Sequence, residues 1–197
     1  HEQLKTFPLQ ADKILKPLQD DRPAPKKQST YINMSSAADA GGSDYCIMMM
    51  DELPDTDVMG FDAKILSVIE VLARKDRANI LIVGETGVGK TSLIYGILQR
   101  LRDKQVPASL ENLHPFELDL IALSQGVSYK GEIEDRFKTV VQLLQNQAQP
   151  ILVVENFHRV EDKQSVLNGL LPAIKKLLSK NQLQMICTTT TDGYTKD

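Results

Sequence analysis

A short segment in the middle of the chain combines residue types that can hold a chain of phosphate groups. Residues 84–91 read GETGVGKT and match the pattern GxxxxGK[ST]. Glycines let the backbone turn sharply and approach an anion with its N–H groups pointing inward. In this pattern Lys90 reaches the β- and γ-phosphates and Thr91 binds Mg²⁺. We therefore predict binding of ATP with Mg²⁺, the alternative being a glycine-rich turn with a solvated lysine. The predicted cofactor-binding residues here are Glu85, Thr86, Gly87, Val88, Gly89, Lys90, Thr91 and Ser92.

The residues around this segment predict the strand and the helix that such a loop requires. Ile80–Val83 is a short apolar run that ends at a glycine, which is typical of a buried parallel strand, and a helix is expected over Lys90–Arg102. Apolar spacing elsewhere predicts helices from 62, over 133–144 and over 166–178, and strands over 116–123, 151–154 and 184–188. Strands that alternate with helices indicate an α/β fold with a parallel, doubly wound sheet.

The composition argues against several classes of function. A chain of 197 residues suffices for one domain with a sizeable core and a tail. A net charge of −3 and a pI near 5.7 give no overall field that would attract nucleic acid or an anionic membrane. The two cysteines match neither a zinc pattern nor a disulfide framework, and no apolar run approaches the roughly 20 residues that span a bilayer. We expect a soluble, cytoplasmic protein without a nucleic-acid or membrane partner.

The first part of the chain differs from the rest. Residues 1–57 contain five prolines, at positions 8, 17, 23, 25 and 54, and a Ser/Ala/Gly stretch, without sustained periodicity. We interpret 1–57 as a linker or partly disordered segment and 58–197 as the nucleotide-binding domain. Within the linker, 46–50 (CIMMM) is an apolar island that docks either on its own domain or on a partner.

Several segments, taken together and in order, resemble one protein family. They are VMGFDAKILSVIEVLARK, GETGVGKTSLIYGILQRL, VPASL, ELDLIAL, GVSYKGEIEDRFK, ILVVENFH and TTTTDGYTK. This set is similar to the first ATPase module of the Clp-type AAA+ unfoldases and disaggregases (ClpA, ClpB and ClpV). The resemblance implies a three-layer P-loop (AAA+) sandwich, a hexameric protein-remodelling machine in the full-length protein, and a polypeptide substrate or protein partner.

The resemblance also implies roles for residues outside the Walker A loop at 84–91. Val58 and Met59 match the positions that contact adenine. Tyr129, followed by Lys130, matches the aromatic pore-loop residue that grips a polypeptide in a central channel, although alone it would be an ordinary surface tyrosine. Thr189, or else Thr190, matches the sensor that contacts the γ-phosphate or the attacking water.

The sequence departs from the family at the Walker B motif. The third strand of the family ends in Asp-Glu, where this chain has Glu155 and Asn156, with His158 fixing the register. Glu155 can still serve Mg²⁺, but the amide of Asn156 accepts no proton at neutral pH. General-base catalysis contributes about 10²- to 10⁴-fold, so we expect slow or absent hydrolysis, with Glu155, Asn156 and Thr189 as the catalytic positions.

Two further departures concern the ends of the matching region. Phe61 stands where the family usually has arginine, and the chain ends shortly after Tyr194, before the fifth strand, the arginine finger and the helical lid. We therefore expect a module that lacks the lid and forms less stable hexamers than the full-length family. Two other functions stay open. One is a non-catalytic regulatory or scaffolding module that binds nucleotide and protein partners, and the other is an AAA+ DNA-processing factor, which the charge balance disfavours.

Overall fold

The chain folds around one five-stranded sheet with the strand order β1-β3-β4-β5-β2. The computed structural model describes residues 44–54, 58–75 and 78–195. The strands β2, β3, β4 and β5 are parallel, and β1 pairs antiparallel with β3 at one edge. The predicted α/β fold with a parallel sheet is confirmed. The strand bounds are β1 Cys46–Met48, β2 Ile80–Val83, β3 His114–Leu118, β4 Pro150–Val154 and β5 Gln184–Thr189.

Helices connect the parallel strands. Among the described residues, none of these helices is long and apolar enough to cross a membrane. The helix bounds are α1 Asp62–Leu72, α2 Lys90–Arg102, α3 Leu120–Ser124, α4 Lys130–Gln145, α5 His158–Glu161, α6 Leu170–Ser179 and α7 Thr191–Thr195, with 3-10 helices at Met49–Glu52, Ala108–Leu110 and Val166–Gly169.

The two faces of the sheet each carry a hydrophobic core, which makes the architecture three layers deep. Side chains of successive strand residues point to opposite faces. In β4, Leu152 and Val154 therefore pack into the core that contains α4 and α6, whereas Ile151 and Val153 pack into the core that contains α1 and α2. All four side chains have no measurable exposure, which is why this central strand is apolar throughout.

The predicted strand over 116–123 is wrong in its second half. Strand β3 ends at Leu118, and α3 begins at Leu120. The reason lies in Asp119, whose carboxylate accepts hydrogen bonds from the N–H groups of Ile121 and Ala122 at 2.8 and 3.0 Å. A helix N-cap of this kind satisfies N–H groups that have no partner inside the helix, so it ends the strand.

Part of the predicted linker takes part in the sheet. Most of 1–57 lies outside the described residues, and the domain boundary after position 57 stays a prediction. Within the described residues 44–54, Cys46 pairs with Leu118 in the sheet register, and the N–H of Asp119 donates to the carbonyl of Tyr45 at 2.9 Å. The apolar island therefore docks on its own domain, which was one of the two expected alternatives.

Candidate functional site

The carboxyl ends of three neighbouring strands form one edge of the sheet, and the predicted phosphate site lies there. Because β4, β5 and β2 are adjacent and parallel, their ends bring together Glu155, Thr189 and Gly84. The N–H of Gly84 donates to the carbonyl of Thr189 at 3.3 Å, which ties the start of the phosphate loop to the end of β5. Ligands of open parallel sheets bind at this edge.

The phosphate loop turns directly into α2. Gly87 and Gly89 have φ values of 84° and 87°, which a residue with a side chain rarely adopts. Helix α2 starts at Lys90, and the carbonyl of Gly89 accepts the N–H of Leu93 at 2.9 Å. The first N–H groups of a helix have no intrahelical partner and attract anions, so this loop suits a phosphate. Glu85, Thr86 and Gly87 are exposed, and Val88, Gly89, Lys90, Thr91 and Ser92 are half-buried.

The ammonium of Lys90 lies inside the loop. Its Nζ donates to the carbonyls of Gly84 and Glu85 at 2.8 and 2.9 Å. Burial lowers the pKa of Lys90, and attraction to the carboxylates of Glu85 and Glu155 offsets part of that effect. A phosphate that enters the loop can replace these carbonyls as the partner of the ammonium, and it brings a stronger, charge-assisted hydrogen bond.

The residues after β4 are held in place by Thr188. The N–H of Asn156 donates to Thr188 Oγ1 at 3.0 Å, and the N–H of Phe157 donates to the Thr188 carbonyl at 2.7 Å. Asn156 has a φ of 56°, in the left-handed region where asparagine is several-fold enriched. Its side chain is exposed, while Glu155 is half-buried.

The two candidate sensor threonines differ in their partners. Thr189 is 1% exposed, and its Oγ1 is buried without a hydrogen-bond partner among the described residues. Thr190 Oγ1, in contrast, accepts the N–H of Gly193 at the start of α7, at 3.1 Å. A buried hydroxyl that lacks a partner is costly. The hydroxyl of Thr189 lies against α7, since a Cβ on Gly193 would lie 2.8 Å from Thr189 Oγ1, and the sensor role of either threonine stays a prediction.

The predicted Mg²⁺ ligands are one hydroxyl, from Thr91, and one carboxylate, from Glu155. This donor set fits Mg²⁺, which keeps several waters and takes few protein ligands beside the substrate phosphates. Within 44–54, 58–75 and 78–195, no group of three or more His, Cys, Asp or Glu side chains could hold a metal ion by itself.

The predicted adenine segment is fixed on α2. The N–H of Val58 donates to Gln99 Oε1 at 3.0 Å, and Gln99 is 7% exposed. Arg100 forms a 2.6 Å ion pair with Asp62 at the start of α1. Met59, between these two anchors, is 85% exposed. The N–H of Val58 is therefore already engaged by the protein, and the exposed side chain of Met59 is the apolar surface that this segment offers to a base.

Phe61 joins the adenine segment to the phosphate loop. A Cβ placed on Gly89 would lie 2.9 Å from Phe61 Cζ, so the ring rests against the backbone of the loop. Lys64 Nζ lies 5.9 Å from the centroid of the same ring. The ring of Phe61 thus packs against the backbone of the phosphate loop.

Tyr129 and Lys130 lie on another part of the surface. Tyr129 is 66% exposed and precedes α4. Helix α4 follows β3 after the short helix α3. The structure therefore brings together the predicted phosphate, Mg²⁺ and sensor residues at the strand ends, whereas Tyr129 and Lys130 lie at the start of α4.

Sequence reasoning missed two residues that hold the site together. Gln99 and Thr188 were not singled out, although Gln99 lies within an apolar pattern and Thr188 directly follows one. Gln99 falls among the buried positions of α2, and Thr188 is 2% exposed in β5. A buried polar side chain needs a partner, so its place in an apolar run was the available signal.

Comparisons with known proteins agree with this geometry. The family profile described as "ATPase family associated with various cellular activities (AAA)" matches residues 80–195. A chaperone protein ClpB from Lactococcus lactis subsp. lactis is 38% identical over 144 residues, which are 71% of this chain and 16% of that protein. An ATP-dependent Clp protease ATP-binding subunit ClpC from Staphylococcus aureus is 32% identical over 173 residues, 86% of this chain and 21% of that protein.

Solved structures of Hsp104 from S. cerevisiae are similar as well. The Hsp104-ADP complex has a TM-score of 0.66 and 37% identity, covering 78% of this chain and 27% of that one. The Hsp104:casein complex in its extended conformation has a TM-score of 0.65 and 34% identity, covering 77% of this chain and 27% of that one. The matched region thus corresponds to 16% of the length of the ClpB protein and 27% of the length of the Hsp104 chain. The loop geometry and a family match over more than half of the sequence lead to one conclusion: this chain belongs to the AAA family of nucleotide-binding ATPase domains and is related to the Clp ATPases.

Proposed function

We propose that the chain is an ATP-binding module of a Clp-like protein-remodelling machine. The observation that carries this proposal is the convergence of Lys90, Glu155 and the carboxyl end of β5 at one sheet edge. Lys90 neutralises the β- and γ-phosphates, Thr91 and Glu155 hold Mg²⁺, and the loop N–H groups bind the remaining phosphate oxygens.

ATP is held at this site but is hydrolysed slowly or not at all. The catalytic step needs a group that takes a proton from the attacking water, and the amide of Asn156 has no such capacity. Thr188 and the left-handed backbone hold Asn156 just beyond β4, so its side chain can still orient a water by hydrogen bonding. The module then works as an ATP-held switch or assembly element.

The substrate is a polypeptide gripped by Tyr129, with Lys130 beside it. The exposed ring supports this part of the proposal, since an aromatic surface contacts varied side chains without demanding a sequence. Hsp104 has been solved as a complex with casein. In the full-length protein we expect a cytoplasmic hexamer with ATP at the subunit interfaces.

A regulatory or scaffolding role is the second candidate, and Asn156 favours it. If ATP is bound but not turned over, its binding energy can organise a partner or a neighbouring active ring. Hydrolysis by the full-length assembly separates the two functions, because a remodelling machine needs turnover and a scaffold does not.

The first test pairs ATP binding by calorimetry in Mg²⁺ with a hydrolysis assay, for the unchanged chain and for Asn156→Glu. We expect both chains to bind ATP and only Asn156→Glu to hydrolyse it, at a rate higher by about 10²- to 10⁴-fold. Equal turnover by the two chains would show that Asn156 does not limit hydrolysis. Absence of ATP binding by both would refute the proposed function itself.

A further inference from the structure

The side chain of Asn168 joins two functional segments that are distant along the chain. Its Nδ2 donates to the carbonyls of Val160 and Glu161, at the end of α5, at 3.0 and 3.4 Å. Its Oδ1 accepts a hydrogen bond from Lys130 Nζ at 3.2 Å, next to Tyr129. One amide therefore connects the region after β4 with the first turn of α4.

The segment that carries Asn168, Val166–Gly169, is firmly seated between these two helices; we call it the bridge segment. Ser165 Oγ accepts the N–H of Leu167 at 3.2 Å at its start, and Leu167 is 2% exposed. At its end, a Cβ on Gly169 would lie 2.7 Å from the carbonyl oxygen of Lys130. This close backbone contact means that the bridge segment and the start of α4 move together.

On its other side, the bridge segment follows the residues of the nucleotide edge. The N–H of Arg159 donates to the carbonyl of Asn156 at 2.9 Å, and the N–H of Val160 donates to that of Phe157 at 2.8 Å. Helix α5 is therefore a direct continuation of the turn that contains Asn156. The carbonyls that Asn168 holds therefore lie one helical turn beyond Asn156, in the same hydrogen-bonded run.

The start of the loop before Tyr129 is anchored on α4 itself, by Arg136. Its Nη1 donates to the carbonyls of Leu123 and Gln125 at 2.9 and 2.8 Å, and its guanidinium lies 5.6 Å from the centroid of the Tyr45 ring. Both ends of the loop are thus fixed to α4, one through Arg136 and the other at Lys130, so the position of Tyr129 depends on that of α4.

From these contacts we infer that Asn168 is a positioning residue that couples the nucleotide state of the sheet edge to the placement of Tyr129. The inference rests on the proposed function, because it needs a nucleotide at the edge and a role for the exposed ring. It goes further in assigning the connection to one side chain with two separable halves, the Nδ2 donor and the Oδ1 acceptor.

A single fluorescent reporter can test this coupling, because the chain contains no tryptophan. Tyr129→Trp places the only indole at the exposed position. We expect its emission to differ between the nucleotide-free, ADP-bound and ATP-bound chain. Adding Asn168→Ala should remove most of this response and leave ATP affinity, measured by calorimetry, unchanged within twofold. Asn168→Asp keeps the acceptor for Lys130 but lacks the donor, so it should lose the response as well.

The matched control is Asn146→Ala, at the opposite end of α4. It should leave the nucleotide response intact, and thermal melting checks that each variant is folded. A purely structural role for Asn168 would lower the melting temperature and preserve the response in the folded variants. If nucleotide binds and the Tyr129→Trp chain does not respond, or if Asn168→Ala and Asn168→Asp respond as strongly as the Tyr129→Trp chain alone, the inference is wrong. If the reporter chain and the unchanged chain bind no nucleotide, the proposed function fails and the inference falls with it.

Discussion

Gly96, in the middle of α2, allows α1 to cross close to this helix. A Cβ at position 96 would lie 2.6 Å from Ile65 Cδ1 and 3.3 Å from Val58 Cγ1. The first distance is shorter than carbon atoms tolerate. Ile65 is 2% exposed, so its terminal methyl can turn aside only against other buried side chains. We therefore expect Gly96→Ala to force the two helices apart or the isoleucine off its rotamer.

The size of the effect follows from two opposing contributions. Replacing glycine by alanine inside a helix favours folding by about 0.8–1.0 kcal/mol. Overpacking a filled core costs about 1–3 kcal/mol. The net result for Gly96→Ala is a loss of about 1 kcal/mol in the free energy of unfolding, whereas helix propensity alone predicts a gain of similar size. The sign of the change thus distinguishes the two explanations.

A double-mutant cycle in urea isolates the contact. Ile65→Val removes the Cδ1 methyl and alone costs about 0.5–1.5 kcal/mol. In the double variant the new methyl at position 96 occupies the space that Cδ1 leaves, so the free energy of unfolding should return close to that of the unchanged chain. Gly131→Ala is the control, because a Cβ there meets only the ring of Tyr129, at 3.4 Å. Stabilisation by Gly96→Ala, or additive losses in the double variant, would refute the close contact.

Three further predictions concern charge and reactivity. Lys90→Ala should abolish ATP binding in calorimetry with little change in melting temperature, because its ammonium bonds carbonyls of its own loop; retained binding would argue against the phosphate site. Arg100→Met should lower the free energy of unfolding by less than about 1 kcal/mol, and by less at high salt, since the side chain of its partner Asp62 is 66% exposed; a larger, salt-independent loss would contradict this. Burial raises the pKa of Cys46 to about 12 and the pKa of Cys187 still further above the usual thiol range. Cys187 should resist alkylation at pH 8 until urea is added, and Cys46, on the edge strand β1, should react before it. Unfolding should become easier as pH rises above 9.0, because only the unfolded chain then releases the two thiol protons; rapid labelling of Cys187 in the native chain would disprove its burial.

The fold was largely predictable because apolar residues recur at regular spacing within its helices and strands, and because local residues mark where most of these elements begin and end. Helix α1 begins at Asp62, where the helical spacing of apolar residues begins, and β2 covers the predicted Ile80–Val83. The apolar spacing gave a wrong prediction where a single polar side chain determined the conformation of the backbone. The apolar residues after Leu118 fit a continued strand, but the carboxylate of Asp119 caps a helix instead. Strand alternation and a short helix cannot be distinguished over so few residues.

The candidate site was predictable only in part, because some of its contacts join residues that are far apart along the chain. The phosphate loop is a local motif, so its glycines and Lys90 could be recognised from their spacing. Contacts such as the bond from Val58 to Gln99, or the one from Lys130 to Asn168, join residues about 40 positions apart. Such contacts depend on how helices pack, and a single sequence carries no signal for them beyond a polar residue in an apolar run. The effect of Glu155 and Asn156 on hydrolysis also stays a prediction, since it depends on the chemistry of these side chains and not on the fold.

Strand β1 has a consequence for the order in which parts of the chain open. It has three residues and only β3 as a neighbour within the described sheet, so few backbone hydrogen bonds hold it. Short edge elements of this kind form the least protected units in native-state hydrogen exchange. Opening of β1 would withdraw the ring of Tyr45 from Arg136 and leave the central parallel strands intact. Strand β1 therefore forms a separate unit that opens at low energy. Its release loosens the anchor of the Tyr129 loop before the strand ends at the nucleotide site are disturbed.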